Sequence, residues 1–160
     1  MIERYMVVAA RIRQELEDLT GVVERVGRAM SAAQERGEDQ DLYLDSAALN
    51  LHDFYTGLER IFRQIAGVVD KSVPEGPEWH RDLLKQLGMD LPQVRPKVLS
   101  SGTIKALDEY LRFRHVVRNI YAFELEPERM KNLVSGLDRC FDQVKKELTA
   151  FAVFLENVGA

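Results

Sequence analysis

Apolar side chains recur at three- and four-residue intervals along nearly the whole chain, which is the period of one face of an α-helix. In the first segment the stripe is Val8, Ile12, Leu16, Leu19, Val23, Val26, Met30 and Ala33, with Arg11, Glu15, Asp18 and Glu24 filling the gaps. Gly37 ends it, as a glycine past a helix terminus often does. The second helix is expected from about Asp39 to Asp70, with Leu44, Ala48, Leu51, Tyr55, Leu58, Phe62, Ile65 and Val69 as its stripe. At 1.5 Å per residue it would be about 45 Å long, a length suited to a bundle.

Ser72 to Pro77 holds two prolines and a glycine and reads as a linker. Pro77 suits the first turn of a short helix through Trp79, Leu83, Leu84 and Leu87. Gly88 to Gly102, with Pro92, Pro96 and the Ser100-Ser101-Gly102 cluster, reads as a loop. A helix from about Thr103 to Phe123 follows. Pro127 then opens a last helix carrying Met130, Leu133, Val134, Leu137, Phe141, Val144, Leu148, Phe151 and Leu155. Strand-like alternation and internal repeats are both missing. The expectation is an all-α, antiparallel bundle of four long helices and one short one, a single domain over 1–160.

Composition changes this picture little. The 160 residues are 46% hydrophobic and 30% charged, enough to bury one core and too balanced for a disordered chain. Ten glycines and five prolines exclude collagen-like and low-complexity classes. A single cysteine, Cys140, excludes a disulfide scaffold and a four-thiolate zinc site, and its apolar neighbours make it a buried, inert thiol. The net charge of −4 leaves only a local basic patch as a nucleic-acid site. No stretch approaches the roughly 20 apolar residues of a membrane span, and Met1 to Tyr5 does not open a signal peptide. A cytoplasmic protein without membrane association is the expectation.

The chemistry concentrates in Arg112-Phe113-Arg114-His115-Val116-Val117-Arg118-Asn119-Ile120-Tyr121. Wound as a helix, Phe113, Val116, Val117, Ile120 and Phe123 share one face, and Arg114, His115, Arg118, Asn119 and Tyr121 the other. Arginine holds phosphate oxygens through paired hydrogen bonds, and histidine moves protons near neutral pH. Those two parts are nearly all that attack of a 2′-hydroxyl on its neighbouring phosphate requires. The same pattern also describes an amphipathic helix with a solvated polar face. Leu107, Leu111 and Leu125 wind onto the side of Arg114, where leucines are out of place unless something covers them.

This segment resembles the signature helix of the HEPN superfamily, and more narrowly that of HepT-like ribonuclease toxins, whose motif is Arg, four to six residues, His, one residue and Tyr. Leu44 to Phe62, Trp79 to Leu84 and Tyr121 to Leu125 with the helix after it are similar to HepT-like proteins too, so the resemblance spans roughly 1–157. It implies a helical bundle that dimerises, with the motif helices lining a basic cleft. It implies RNA cleavage with neither metal nor cofactor, and a small MNT-type nucleotidyltransferase antitoxin that in some systems adenylylates the motif tyrosine. Carried over, Arg114 is the motif arginine, His115 the polar residue after it and Tyr121 the tyrosine, with Arg112 and Arg118 as flanking RNA-binding cations. The motif's histidine position is Asn119, and an amide is no general base. Either His115, four residues away on the same side, supplies the imidazole as a toxin's catalytic group, or the chain is a degenerate module that binds a nucleotidyltransferase.

The other histidines read blandly. His52, beside the apolar stripe of the second helix, suits a buried hydrogen-bonded role, and His80 a structural or solvated role on a short surface helix. None of the three has a partner at metal-ligand spacing, so no metal site is expected. Glu124 is expected to cap or pair at the end of its helix.

Overall fold

A computed structural model describes residues 2–119 and 125–158, with the side chains of the motif helix covered to Val117. It is all-α. The helices are α1 (Ile2–Glu35), α2 (Gln40–Gln64), α3 (Trp79–Leu87), α4 (Ser101–Asn119), α5 (Pro127–Ser135) and α6 (Leu137–Val158). Among the described residues there is no strand, only one antiparallel bridge, Leu91 to Arg95, in the loop before α4.

Every residue of the α1 stripe from Val8 to Ala33 is buried, as is every residue of the second stripe from Leu44 to Val69. The two helices turn over at Gly37–Asp39. Four contacts, Arg36 with Tyr43, Leu19 with Gly57, Glu15 with Arg60 and Arg11 with Gln64, run in opposite order along them, so the pair is antiparallel. Gly57 lets them close up. A Cβ there would stand 2.6 Å from Leu19 Cδ2 and 2.9 Å from Glu15 Oε1. Arg13 of α1 reaches across to Glu156 of α6 at 2.7 Å. At the centre, the Phe54 ring meets Tyr110 of α4 and Phe141 of α6 edge-on, with centroids 5.6 and 5.9 Å away.

The helical path of α2 runs on to Asp70 by widening into a π turn over Ile65–Asp70, and Lys71 stops it at φ 57°. Asp70 is then received by Arg95, whose Nε and Nη2 donate to its two oxygens at 2.6 and 2.8 Å. The same guanidinium donates to the carbonyls of Met89, Pro96 and Gln86. This buried pair ties the 88–100 loop to the end of α2, and each donor is used, as a buried charge requires.

Three expectations change. The last helix is two, α5 and α6, broken at Gly136. Beside the break, Tyr110 Oη donates to the Leu133 carbonyl at 2.8 Å. Glycine is the weaker helix former there. The short helix starts at Trp79, with Pro77 in the turn before it. Finally, Leu107 and Leu111 are buried within this chain and Leu125 is partly buried against the same core. They need no second protomer to cover them, so that motive for a dimer falls. Among the described residues no helix is long and apolar enough to cross a membrane.

Candidate functional site

Three polar residues fall on inward positions of their helices. Glu59 follows Tyr55 by four residues and precedes Phe62 by three on α2. His80 stands in the same register with Leu84 and Leu87 on α3, and Arg114 with Leu107 and Leu111 on α4. The surrounding stripes bury them, leaving Glu59, His80 and Arg114 with 5, 9 and 9% of their surface exposed. The side of α4 that its motif made look polar is therefore packed at Leu107, Leu111 and Arg114. Phe113 on the other side is buried as well.

Their geometry is specific. His80 Nδ1 lies 2.7 Å from Glu59 Oε2. Arg114 Nη1 lies 3.5 Å from His80 Nδ1 and Nη2 lies 4.0 Å from Glu59 Oε1, while its Nε is buried without a partner among the described residues. The guanidinium is thus held loosely, unlike that of Arg95. The hydroxyl of the fully buried Tyr55 is also without a partner, and desolvation raises its pKa, with Glu59 and Asp108 adding to the shift and Arg114 opposing it. The Trp79 ring leans on the His80 imidazole at 3.5 Å between centroids, and Arg63 lies over Trp79 at 5.0 Å.

His115 is exposed on the next position of α4. Its ring centroid is 5.6 Å from that of His80, the planes nearly perpendicular at 84°. A pocket of about 250 Å³ opens between α3 and α4, with His80, Arg81, Arg112 and His115 among its lining side chains. Arg112 also pairs with Asp108, one turn back, at 3.1 Å. Glu78 adds one carboxylate to that lining; guanidiniums can clamp phosphate oxygens and imidazoles can exchange protons with them.

Of the residues singled out by sequence, the structure gathers Arg112, Arg114 and His115 at one place. Asn119 closes α4, and the side chains of Arg118 and Asn119, with Tyr121 and Glu124, lie outside the described residues. His52 keeps a quarter of its side chain exposed, with Nδ1 3.9 Å from Asp53 Oδ1, so it is less buried than expected. His80 is a buried residue facing Arg114, not a solvated one. Cys140 is buried, and desolvation pushes its thiol up to about 12, which keeps it protonated at neutral pH. Sequence reasoning missed Glu59, although its signal was available as a carboxylate in the middle of an apolar stripe. Among the described residues no group of three His, Cys, Asp or Glu is placed to hold a metal ion.

An all-helical bundle with an arginine- and histidine-bearing helix against its core is consistent with a HEPN-superfamily domain. A family model described as HepT-like protein matches residues 46–155, more than half of the chain, and the chain belongs to that family. The match begins inside α2, so α1 stands outside it while packing on it. No curated protein and no solved structure matches the chain.

Proposed function

We propose that this HepT-like domain cleaves RNA without a metal and acts as the toxin of a toxin–antitoxin pair. The observation that supports this best is the pocket between α3 and α4, where His115, Arg81 and Arg112 converge and Arg114 stands one contact further in, beside His80. Two guanidiniums there, against the one carboxylate of Glu78, on a molecule of net charge −4 suit a phosphodiester. Arg112 and Arg118 hold flanking phosphates, and Arg114, with donors to spare, stabilises the charge that develops on the reacting one. His115 moves the proton that the motif histidine would move, because an amide at position 119 is no general base. In this reading the protein is a homodimer, checked by an MNT-type nucleotidyltransferase that modifies Tyr121.

The test is incubation of the purified chain with cellular RNA and short synthetic oligoribonucleotides in excess chelator, read on a denaturing gel. Cleavage should persist in the chelator and fall at least about a hundredfold in His115→Ala. Failure of the wild type to cut any RNA overturns the reading. Asn119 supports a second one, a domain that kept the fold and lost the imidazole, whose remaining task is to bind a nucleotidyltransferase. Cleavage appearing only in Asn119→His selects that alternative.

A further inference from the structure

His80 stands on α3, outside the motif helix. Glu59 is a carboxylate beside a guanidinium, and a carboxylate only accepts hydrogen bonds. At 2.7 Å from Glu59 Oε2, His80 Nδ1 therefore carries the hydrogen, so Arg114 Nη1, 3.5 Å from the same nitrogen, is a neighbour and not a donor to it, and the lone pair of the neutral ring belongs to Nε2. The Trp79 ring, 3.5 Å from the imidazole between centroids and inclined by 31°, holds that orientation. A histidine serving only as core filler would be closed off on all sides. His80 instead lines the pocket with His115, and the two ring centroids are 5.6 Å apart. Hydrogen bonds of about 2.6–3.2 Å from each ring can reach a single phosphodiester between them.

We infer that His80 is a second proton-transfer group of this site and Glu59 its positioning residue. The inference rests on the RNA-cleavage reading. His80 Nε2 takes the proton of the 2′-hydroxyl as that oxygen bonds to phosphorus. The bond from phosphorus to the 5′-oxygen breaks, and the imidazolium form of His115 gives its proton to the departing oxygen. The products are a 2′,3′-cyclic phosphate and a 5′-hydroxyl, with one proton gained by His80 and one lost by His115. The Glu59 carboxylate, at 2.7 Å, stabilises the imidazolium that forms on His80, as a buried carboxylate does for a general-base histidine, and outweighs the more distant Arg114 guanidinium at 3.5 Å.

The chain has three histidines, so long-range proton–nitrogen NMR can follow each ring, with His52 as the internal control. In the free protein His80 should show the Nδ1–H tautomer, and Glu59→Gln should shift it towards a tautomer mixture, which loss of packing alone would not do. A non-cleavable 2′-O-methyl diribonucleotide should move the ring signals of both His80 and His115 and leave those of His52 in place. With cleavable RNA, His80→Gln should lower kcat about a hundredfold or more with little change in KM, and the product should carry a cyclic phosphate. Circular dichroism checks that the variant is folded, and if it is not, the analogue titration of the wild type decides. His80 signals that ignore the analogue, or a folded His80→Gln that cleaves at the wild-type rate, overturn the inference and leave the cleavage reading standing. A wild type that cuts no RNA overturns both.

Discussion

Arg114 Nη2 stops 4.0 Å short of Glu59 Oε1, at the outer limit of an ion pair, although both side chains are about nine-tenths buried. Arg95 shows the alternative, a buried guanidinium donating at 2.6 and 2.8 Å to both oxygens of one carboxylate. The fold can satisfy an arginine completely, and at Arg114 the described residues leave donor capacity over.

The two arginines should therefore part company on substitution. Arg95→Ala strands the Asp70 carboxylate and should cost about 3–5 kcal/mol of stability. Arg114→Ala removes weaker contacts and should cost about 1–3 kcal/mol. Urea denaturation reads both. Cleavage per folded molecule should follow the opposite order, unchanged in Arg95→Ala and down about a hundredfold in Arg114→Ala, the loss of about 3 kcal/mol of transition-state stabilisation. Equal effects on cleavage would remove Arg114 from the chemistry.

Asn119 stands where the family motif has histidine, and His115 is one turn earlier. If His115 took over the proton transfer, a histidine restored at 119 should rescue its loss. The double variant His115→Ala/Asn119→His is expected to regain at least a tenth of the wild-type rate, while His115→Ala alone falls a hundredfold or more. Single-turnover cleavage of one oligoribonucleotide measures this, and a double variant as slow as His115→Ala would show that the two positions cannot exchange the role.

The approach of α1 and α2 at Gly57 leaves no room for a methyl group. Leu19, whose Cδ2 a Cβ would meet at 2.6 Å, is itself buried, and Glu15, the second neighbour, is engaged by Arg60 at 2.8 Å. Gly57→Ala should lower stability by about 1–3 kcal/mol through overpacking, despite alanine's better helix propensity. Calorimetry should show Tm falling by about 2–4 °C for each kcal/mol lost. An unchanged or raised Tm would mean that α1 shifts aside freely.

Glu147 of α6 accepts from the Ser100 amide and from the side chains of Ser100, Thr103 and Gln143, and so caps the start of α4. Desolvation pushes its carboxyl up, but the hydrogen bonds from Thr103, the Ser100 amide, Gln143 and the Ser100 hydroxyl together outweigh it and hold the pKa below the usual value. A lowered carboxylate pKa contributes stability that is present near neutral pH and is lost as pH falls through the folded-state value. Glu147→Gln should therefore be less stable than wild type at pH 7, and the gap should close on acidification below about pH 4. Urea midpoints across that range test it, and a gap independent of pH would assign Glu147 a packing role only.

Periodicity alone determined most of the architecture. The stripes from Val8 to Ala33 and from Leu44 to Val69 are buried at every position, because burying one apolar face is the main way a long amphipathic helix gains stability. The break at Gly136 was not readable, since the apolar stripe runs on across it without interruption. The site divides in the same way. Arg112, Arg114 and His115 are legible as one run because their spacing along a helix is local information. That Arg114 faces the core, that Glu59 and His80 meet it there, and that His115 shares a pocket with His80 are products of helix packing. Those side chains lie 21 to 55 residues apart along the chain. Only the tertiary structure, by excluding water from three helix faces at once, makes a charge at each position answer to the others.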